Sequence, residues 1–276
     1  MANTTLFENP ASQTLLIPLI IRAREGSHPK SLFRDKAAED VVTRLPAEMF
    51  SFSMHPFMRA GTAVRIRYFD DLTQKMLASA EKPVIVQLGC GLDTRFARTD
   101  SGKGVHINID LPEVIAMRRE ILPRGSERDM DWAGDLLERD WMDRLEREYA
   151  GHQFLFISEG VLMYLAEDDV RKLLSDIADR FPGSHIAFDT AGSRVARVIN
   201  KKSAVKELKA ALNWVYDDDG RLDSWHPGLR RLERAYYFNR FRTRWGILWL
   251  VHYTPMGKSS AMFHFLVEKK SGSEAA

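Results

Sequence analysis

The sequence predicts an α/β fold built on a mostly parallel sheet, with a helical segment ahead of it and an antiparallel hairpin at one edge. Three observations predict it. From Pro83 onward, short apolar runs alternate with amphipathic stretches, the pattern of parallel strands joined by crossover helices. The run Val84–Leu88 delivers Gly89-Cys90-Gly91 into a turn, where glycine admits a backbone approach that a side chain would block. Ahead of Pro83, apolar residues recur at spacings of three and four over Asp35–Leu45 and Ala60–Leu77, as on helices with one packed face.

In chain order, residues 14–80 read as a helical preface. Val84–Leu88, Val105–Ile109, Phe154–Ser158 and His185–Asp189 read as strands, and Asp168–Arg180 is the clearest helix between them. After Thr190 the alternation stops. Val195–Leu212 reads as a basic helix and Asp217-Asp218-Asp219-Gly220 as a polar turn. Two closing apolar runs, Ile247–Tyr253 and Met262–Glu268, flank Pro255-Met256-Gly257-Lys258-Ser259 in the manner of a hairpin. A single integrated domain is expected, with a helical cap region over residues 1–82 and a core over 83–276. The core carries a helical insertion at about 194–240, and the tail Ser271–Ala276 reads as disordered.

With 276 residues, 45% of them hydrophobic, the chain is long enough for a sizeable core. Lysine and arginine total 40 against 38 acids, a formal net charge of +2. That leaves no broad field for nucleic acid or an anionic membrane surface, so a small-molecule partner is expected. The basic stretch Arg194–Lys209 reads as a solvated helix face. One cysteine excludes an internal disulfide and points to a reducing compartment. The start lacks the basic flank of a secretory signal, and Leu15–Ile21 is too short to span a bilayer, so a cytoplasmic location is expected. Nothing in the sequence sets the oligomeric state.

A strand ending in Gly89-x-Gly91 ahead of a helix places backbone amides and a helix N-terminus beside a bound group. A dinucleotide turn wants a third glycine at position 94, which is Thr94, and this disfavours a nicotinamide oxidoreductase. Asp110 ends the next apolar run, about twenty residues beyond the first glycine, where an acid accepts hydrogen bonds from ribose hydroxyls. The pair implies a cofactor that carries a nucleoside. The bland alternative is that the glycines only make a turn and Asp110 caps the following helix.

Gly89-Cys90-Gly91-Leu92-Asp93-Thr94-Arg95, Asp110-Leu111-Pro112 and Ser158-Glu159-Gly160-Val161-Leu162-Met163-Tyr164-Leu165 resemble the leucine carboxyl methyltransferase superfamily, and within it the bacterial branch that includes polyketide O-methyltransferases. Ile17-Pro18-Leu19, Arg22-Ala23-Arg24-Glu25, Asp35-Lys36-Ala37-Ala38 and Arg65-Ile66-Arg67-Tyr68-Phe69-Asp70 agree as well. The resemblance implies a Rossmann-like class I methyltransferase: a seven-stranded, mostly parallel sheet with an antiparallel last strand, a helical cap, and S-adenosylmethionine as cofactor. By motif, Gly89, Cys90 and Gly91 border the methionine part of the cofactor and Asp110 holds the ribose. Asp135 and Leu136 frame the adenine, Arg65 binds the carboxylate, and Glu159 and Tyr164 stand near the cofactor and the transferred methyl. Arg22 or Arg24 supplies a basic residue at the reaction site.

Several residues carry a plainer reading beside the sharper one. Tyr164 can pack on the sheet with its hydroxyl at the rim, and Glu159 can cap a helix or lie in solvent. Gln87 stands where many methyltransferases carry an acid, and Cys90 reads as a small turn residue rather than a redox group. The contiguous Asp217–Asp219 run lacks the alternating spacing of a calcium loop, and the histidines lack zinc-ligand spacing, so no metal is expected. Phe50, Phe52, Phe57, Trp214, Tyr216, Trp225, Tyr236 and Tyr237 either enclose an apolar acceptor or pack the core.

The expected reaction is O-methylation of a small-molecule carboxylate, which is already ionised at neutral pH. A phenol or hydroxyl acceptor is the alternative and would require a base. A protein C-terminal carboxylate and a non-catalytic cofactor-binding module are the remaining readings.

Overall fold

The computed structural model describes residues 10–46, 56–123, 125–202, 212–217 and 219–269. Seven strands form one sheet: β1 (Pro83–Leu88), β2 (Val105–Asp110), β3 (Asp129–Ala133), β4 (Gln153–Ser158), β5 (His185–Ala191), β6 (Leu229–Tyr236) and β7 (Ser260–Val267). Their order is β3-β2-β1-β4-β5-β7-β6. β1 to β5 pair in parallel, while β7 runs antiparallel to both β5 and β6. The expected seven-stranded sheet with an antiparallel last strand is present.

All six residues of β1 are buried, as befits a central parallel strand covered on both faces. The pleat sends alternate residues to opposite cores. Val84, Val86 and Leu88 pack with Trp141, Leu145, Val170, Leu173 and Ile177, from helices α6 (Asp140–Glu148) and α7 (Glu167–Arg180). Ile85 joins Leu155, Ile157 and Ala187 against Val64, Tyr68 and Phe69 of α3 (Pro56–Ser79). A third cluster ties α1 (Pro10–Glu25) and α2 (Lys36–Val42) to Leu92 of the glycine turn, which leads into α4 (Arg95–Thr99), and to Met117 and Ile121 of α5 (Pro112–Ile121). The helical preface is thereby built onto the functional end of the sheet.

Two expectations are corrected. The edge hairpin exists, but its strands are β6 and β7, and Ile247–Tyr253 lies within a 3-10 segment, Gly246–Tyr253. A wholly apolar run has no period of its own and reads as a buried strand, yet Ile247 is 81% exposed and Tyr253 68%. The stretch read as a helical insertion at 194–240 contains the strand β6. Its described helices are α8 (Ser193–Lys202) and short 3-10 turns at Arg221–Ser224 and Tyr237–Asn239. Residues 203–211 and 218, and the tail 271–276, lie outside the described residues. No helix among the described residues is long and apolar enough to cross a membrane.

Candidate active site

Strand order reverses between β1 and β4, and at such a switch point the carboxyl ends of parallel strands leave a crevice for a ligand. Gly89 to Asp93 end β1, Asp110 ends β2, Gly134-Asp135-Leu136 follow β3, Glu159 and Gly160 follow β4, and Asp189 stands near the end of β5. The sequence-predicted residues of the core therefore share one edge of the sheet.

The amides of the glycine turn bond within the fold. Gly89 N–H and Cys90 N–H donate to Ile109 O, and Gly91 N–H donates to Asp110 Oδ2 at 2.7 Å. The expected row of free amides over the turn is thus largely used within the fold. A Cβ on Gly89 would lie 2.6 Å from Val161 Cγ2, and the residue sits at φ +72°. The carbonyls of the turn are held from behind: Arg118 donates to Gly91 O and Asp93 O, and Arg22 to Leu92 O.

Asp110 does not cap α5, whose N-cap is Leu111 with no side-chain bond. It accepts the Gly91 and Leu111 amides, the latter at 2.8 Å, and burial raises its pKa while those two bonds lower it. Two bonds leave carboxylate lone pairs for a ligand. Asp135 is exposed and accepts from Leu137 N–H, and Leu136 beside it is buried. Gln87 lies beneath the edge, donating to Asn108 Oδ1 at 2.7 Å. Burial pushes the Cys90 thiol up, so the thiol stays protonated in the folded chain.

Glu159 neither caps a helix nor lies in solvent. Its carboxylate accepts from Arg65 Nε at 3.1 Å and from Arg95 Nη2 at 2.5 Å. These pairs extend into a buried lattice. Arg22, Arg65, Arg95 and Arg98 supply four guanidiniums, and Asp35, Asp70, Asp93, Glu159 and Asp189 supply five carboxylates. Burial opposes the ionisation of Asp93, but Arg98, Arg95 and Arg22 hold it well below the usual carboxylate range. Asp35 also accepts from Ala38 N–H as the cap of α2, and so fixes the helical preface to the lattice.

Helix α1 places Arg22 and Arg24 in different surroundings. Arg22 turns inward and is 3% exposed, whereas the Arg24 side chain is exposed. Tyr164, on a 3-10 turn at Leu162–Tyr164, is 38% exposed, and burial of its hydroxyl end raises its pKa. Trp214, Tyr216 and Trp225 belong to the core, while Phe57 packs edge-on to Phe238. Phe50 and Phe52 lie outside the described residues.

Sequence reasoning did not single out Arg95, Arg98, Asp35, Asp70, Asp93 or Asp189 as site residues, and read Tyr237 only as an aromatic that encloses an acceptor or packs the core. Five of them stand inside or beside the quoted motifs, so their signal was present as charges repeated within glycine-turn and helix words. Asp189 and Tyr237 carry no local signature.

The residues present fit a methionine-bearing nucleoside. Arg65 uses Nε and Nη1, and its Nη2 has no partner among the described residues. Arg95 Nη1 is a buried donor without a hydrogen-bond partner. One carboxylate in excess across the lattice complements a ligand with a net positive charge.

The leucine carboxyl methyltransferase model matches residues 16–178, more than half of the chain. The chain is similar to the S-adenosyl-L-methionine-dependent methyltransferase dpfgK of Gibberella zeae, 29% identical over 263 residues, covering 87% of each chain. It is also similar to the tetracenomycin polyketide synthesis O-methyltransferase TcmP of Streptomyces glaucescens, 28% identical over 231 residues, covering 80% of this chain and 81% of that one. A solved DUF574 family protein from Streptomyces avermitilis shares the fold at a TM-score of 0.51 and 13% identity, covering 90% of this chain and 96% of that chain. The chain belongs to the leucine carboxyl methyltransferase family and is an S-adenosylmethionine-dependent methyltransferase.

Proposed function

We propose that this methyltransferase acts on a carboxylate oxygen of a small, polyketide-like or other metabolite. S-adenosylmethionine, when bound, supplies an electrophilic methyl group on a sulfonium. In this reading Arg65 Nη2 takes the methionyl carboxylate, and Gly89, Cys90 and Gly91 admit the methionine chain. Asp110 accepts from the ribose hydroxyls, Asp135 accepts from the adenine amino group, and Leu136 packs on the ring. Glu159 lies along the methionyl end, and the Tyr164 hydroxyl lines the rim near the transferred methyl. Arg22 supports the turn through Leu92 O.

In-line displacement needs nucleophile, methyl and sulfur held in a line, and such positioning contributes up to ~7 to 11 kcal/mol. The observation that carries the carboxylate reading concerns proton acceptors. Among the described residues at the strand ends, Glu159 and Asp189 are taken up in ion pairs with guanidiniums, and Tyr164 and Tyr237 have pKa values raised by burial. An acceptor that arrives ionised suits such a site. Deprotonating a phenol at pH 7 would cost about 4 kcal/mol.

The test is mass-spectrometric detection of labelled methyl transfer to a panel of carboxylic acids and phenols, with the rate followed against pH. Methyl esters, and a rate flat from neutrality to about pH 6, are expected. Methyl ethers of phenols alone, with a rate falling steeply over that interval, would overturn the carboxylate assignment.

A further inference from the structure

Asp189 and Tyr237 both lie beyond the residues matched by the family model. Their side chains nevertheless reach Arg65. Asp189 is 1% exposed. Its Oδ1 accepts from Gly160 N–H at 2.6 Å, and its Oδ2 accepts from Arg65 Nη1 at 3.1 Å and from the Tyr237 hydroxyl at 2.9 Å. One carboxylate therefore joins the loop after β4, the middle of α3 and the turn after β6.

We propose that Asp189 and Tyr237 are positioning residues that aim Arg65 at the methionyl carboxylate of the cofactor. The proposal rests on the role given to Arg65 above. A carboxylate beside a guanidinium favours the two-pronged pairing in which both oxygens meet two nitrogens. Here that pairing is not formed. The Gly160 amide competes for Oδ1, the Tyr237 hydroxyl and Arg65 Nη1 together fill Oδ2, and Glu159 takes Nε. Asp189 is left with Nη1 alone, and Nη2 stays available to a ligand.

The hydroxyl is well placed to hold this arrangement. Burial, and next the charge of Asp189, raise the Tyr237 pKa well above its ordinary value, so it remains a donor. Its backbone is anchored as well, since Trp245 Nε1 donates to Tyr237 O at 2.9 Å. Gly160 completes the clamp: a Cβ there would come within 2.9 Å of both Nη1 and Nη2. Without the tyrosine hydroxyl, an Oδ2 lone pair is freed, and a rotation of the guanidinium gives Asp189 both terminal nitrogens.

The test compares two ligands by calorimetry. S-adenosylhomocysteine carries the methionyl carboxylate, and 5′-methylthioadenosine lacks it. Wild-type protein is expected to bind the former more tightly; binding of neither would remove the cofactor reading itself. Tyr237→Phe is expected to weaken S-adenosylhomocysteine about five- to tenfold, the loss of roughly one hydrogen bond's effect, and to leave 5′-methylthioadenosine within about twofold. Asp189→Asn is expected to show the same selectivity and serves if Tyr237→Phe does not fold. Unchanged S-adenosylhomocysteine affinity in the variant, or equal weakening of both ligands, overturns the proposal while leaving the cofactor reading intact.

Discussion

The Gly91 amide donates to Asp110 Oδ2 at 2.7 Å, so the turn after β1 and the acid after β2 form one unit. Asp110→Ala removes that bond together with the acceptors proposed for the ribose. Loss of two or more bonds to a charged acceptor predicts at least a tenfold weaker affinity for S-adenosylhomocysteine. Calorimetry on the folded variant checks it, and unchanged affinity would refute the ribose role.

Gly89→Ala meets two penalties at once, a positive φ and a Cβ 2.6 Å from Val161 Cγ2. About 1 to 3 kcal/mol of destabilisation is expected from the backbone alone. Adding Val161→Ala should recover the steric part only. Urea unfolding of the single and double variants separates the two contributions.

Arg95 is fully buried and paired with Asp70, Asp93 and Glu159. Arg95→Met leaves those carboxylates short of a partner, and removing one member of a buried pair typically costs about 3 to 5 kcal/mol. A large fall in the urea midpoint is expected, with little relief on adding salt because the site is not screened by solvent.

His106, on β2, is fully buried beside Phe96, and neither ring nitrogen has a hydrogen-bond partner. Burial lowers its pKa to about 3. The unfolded chain therefore binds a proton near pH 6.5 that the folded chain refuses, so stability falls as pH drops from about 6.5 towards 3. His106→Phe removes this penalty. Its unfolding midpoint should gain on that of the wild type as pH is lowered from 7 to 4, and parallel curves would refute the assignment.

The parallel strands β1, β2, β4 and β5 were legible because apolar residues cluster, or alternate as in β2, between turn residues. β3 was not, since an edge strand with only Trp132 buried offers no run to read. β6 was hidden by its charges: Arg230, Arg231, Glu233 and Arg234 suit an edge strand but obscure the hydrophobic pattern. In the site, Gly89, Asp110 and Glu159 stood in recognisable words. Asp189 and Tyr237 did not, because a residue brought in by sheet topology from far along the chain leaves no mark on its neighbours. Which of Arg22 and Arg24 is buried depends on the rotation of α1 about its axis, which two arginines two residues apart leave open.

Cys90 is the sole cysteine, and it sits buried in the middle of the glycine turn. A thiol reagent can reach it only when that turn parts from the rest of the fold. The chain thus carries its own clock: the rate of labelling counts openings of the cofactor cradle, and a ligand seated there should slow the count without any dye or tag being introduced.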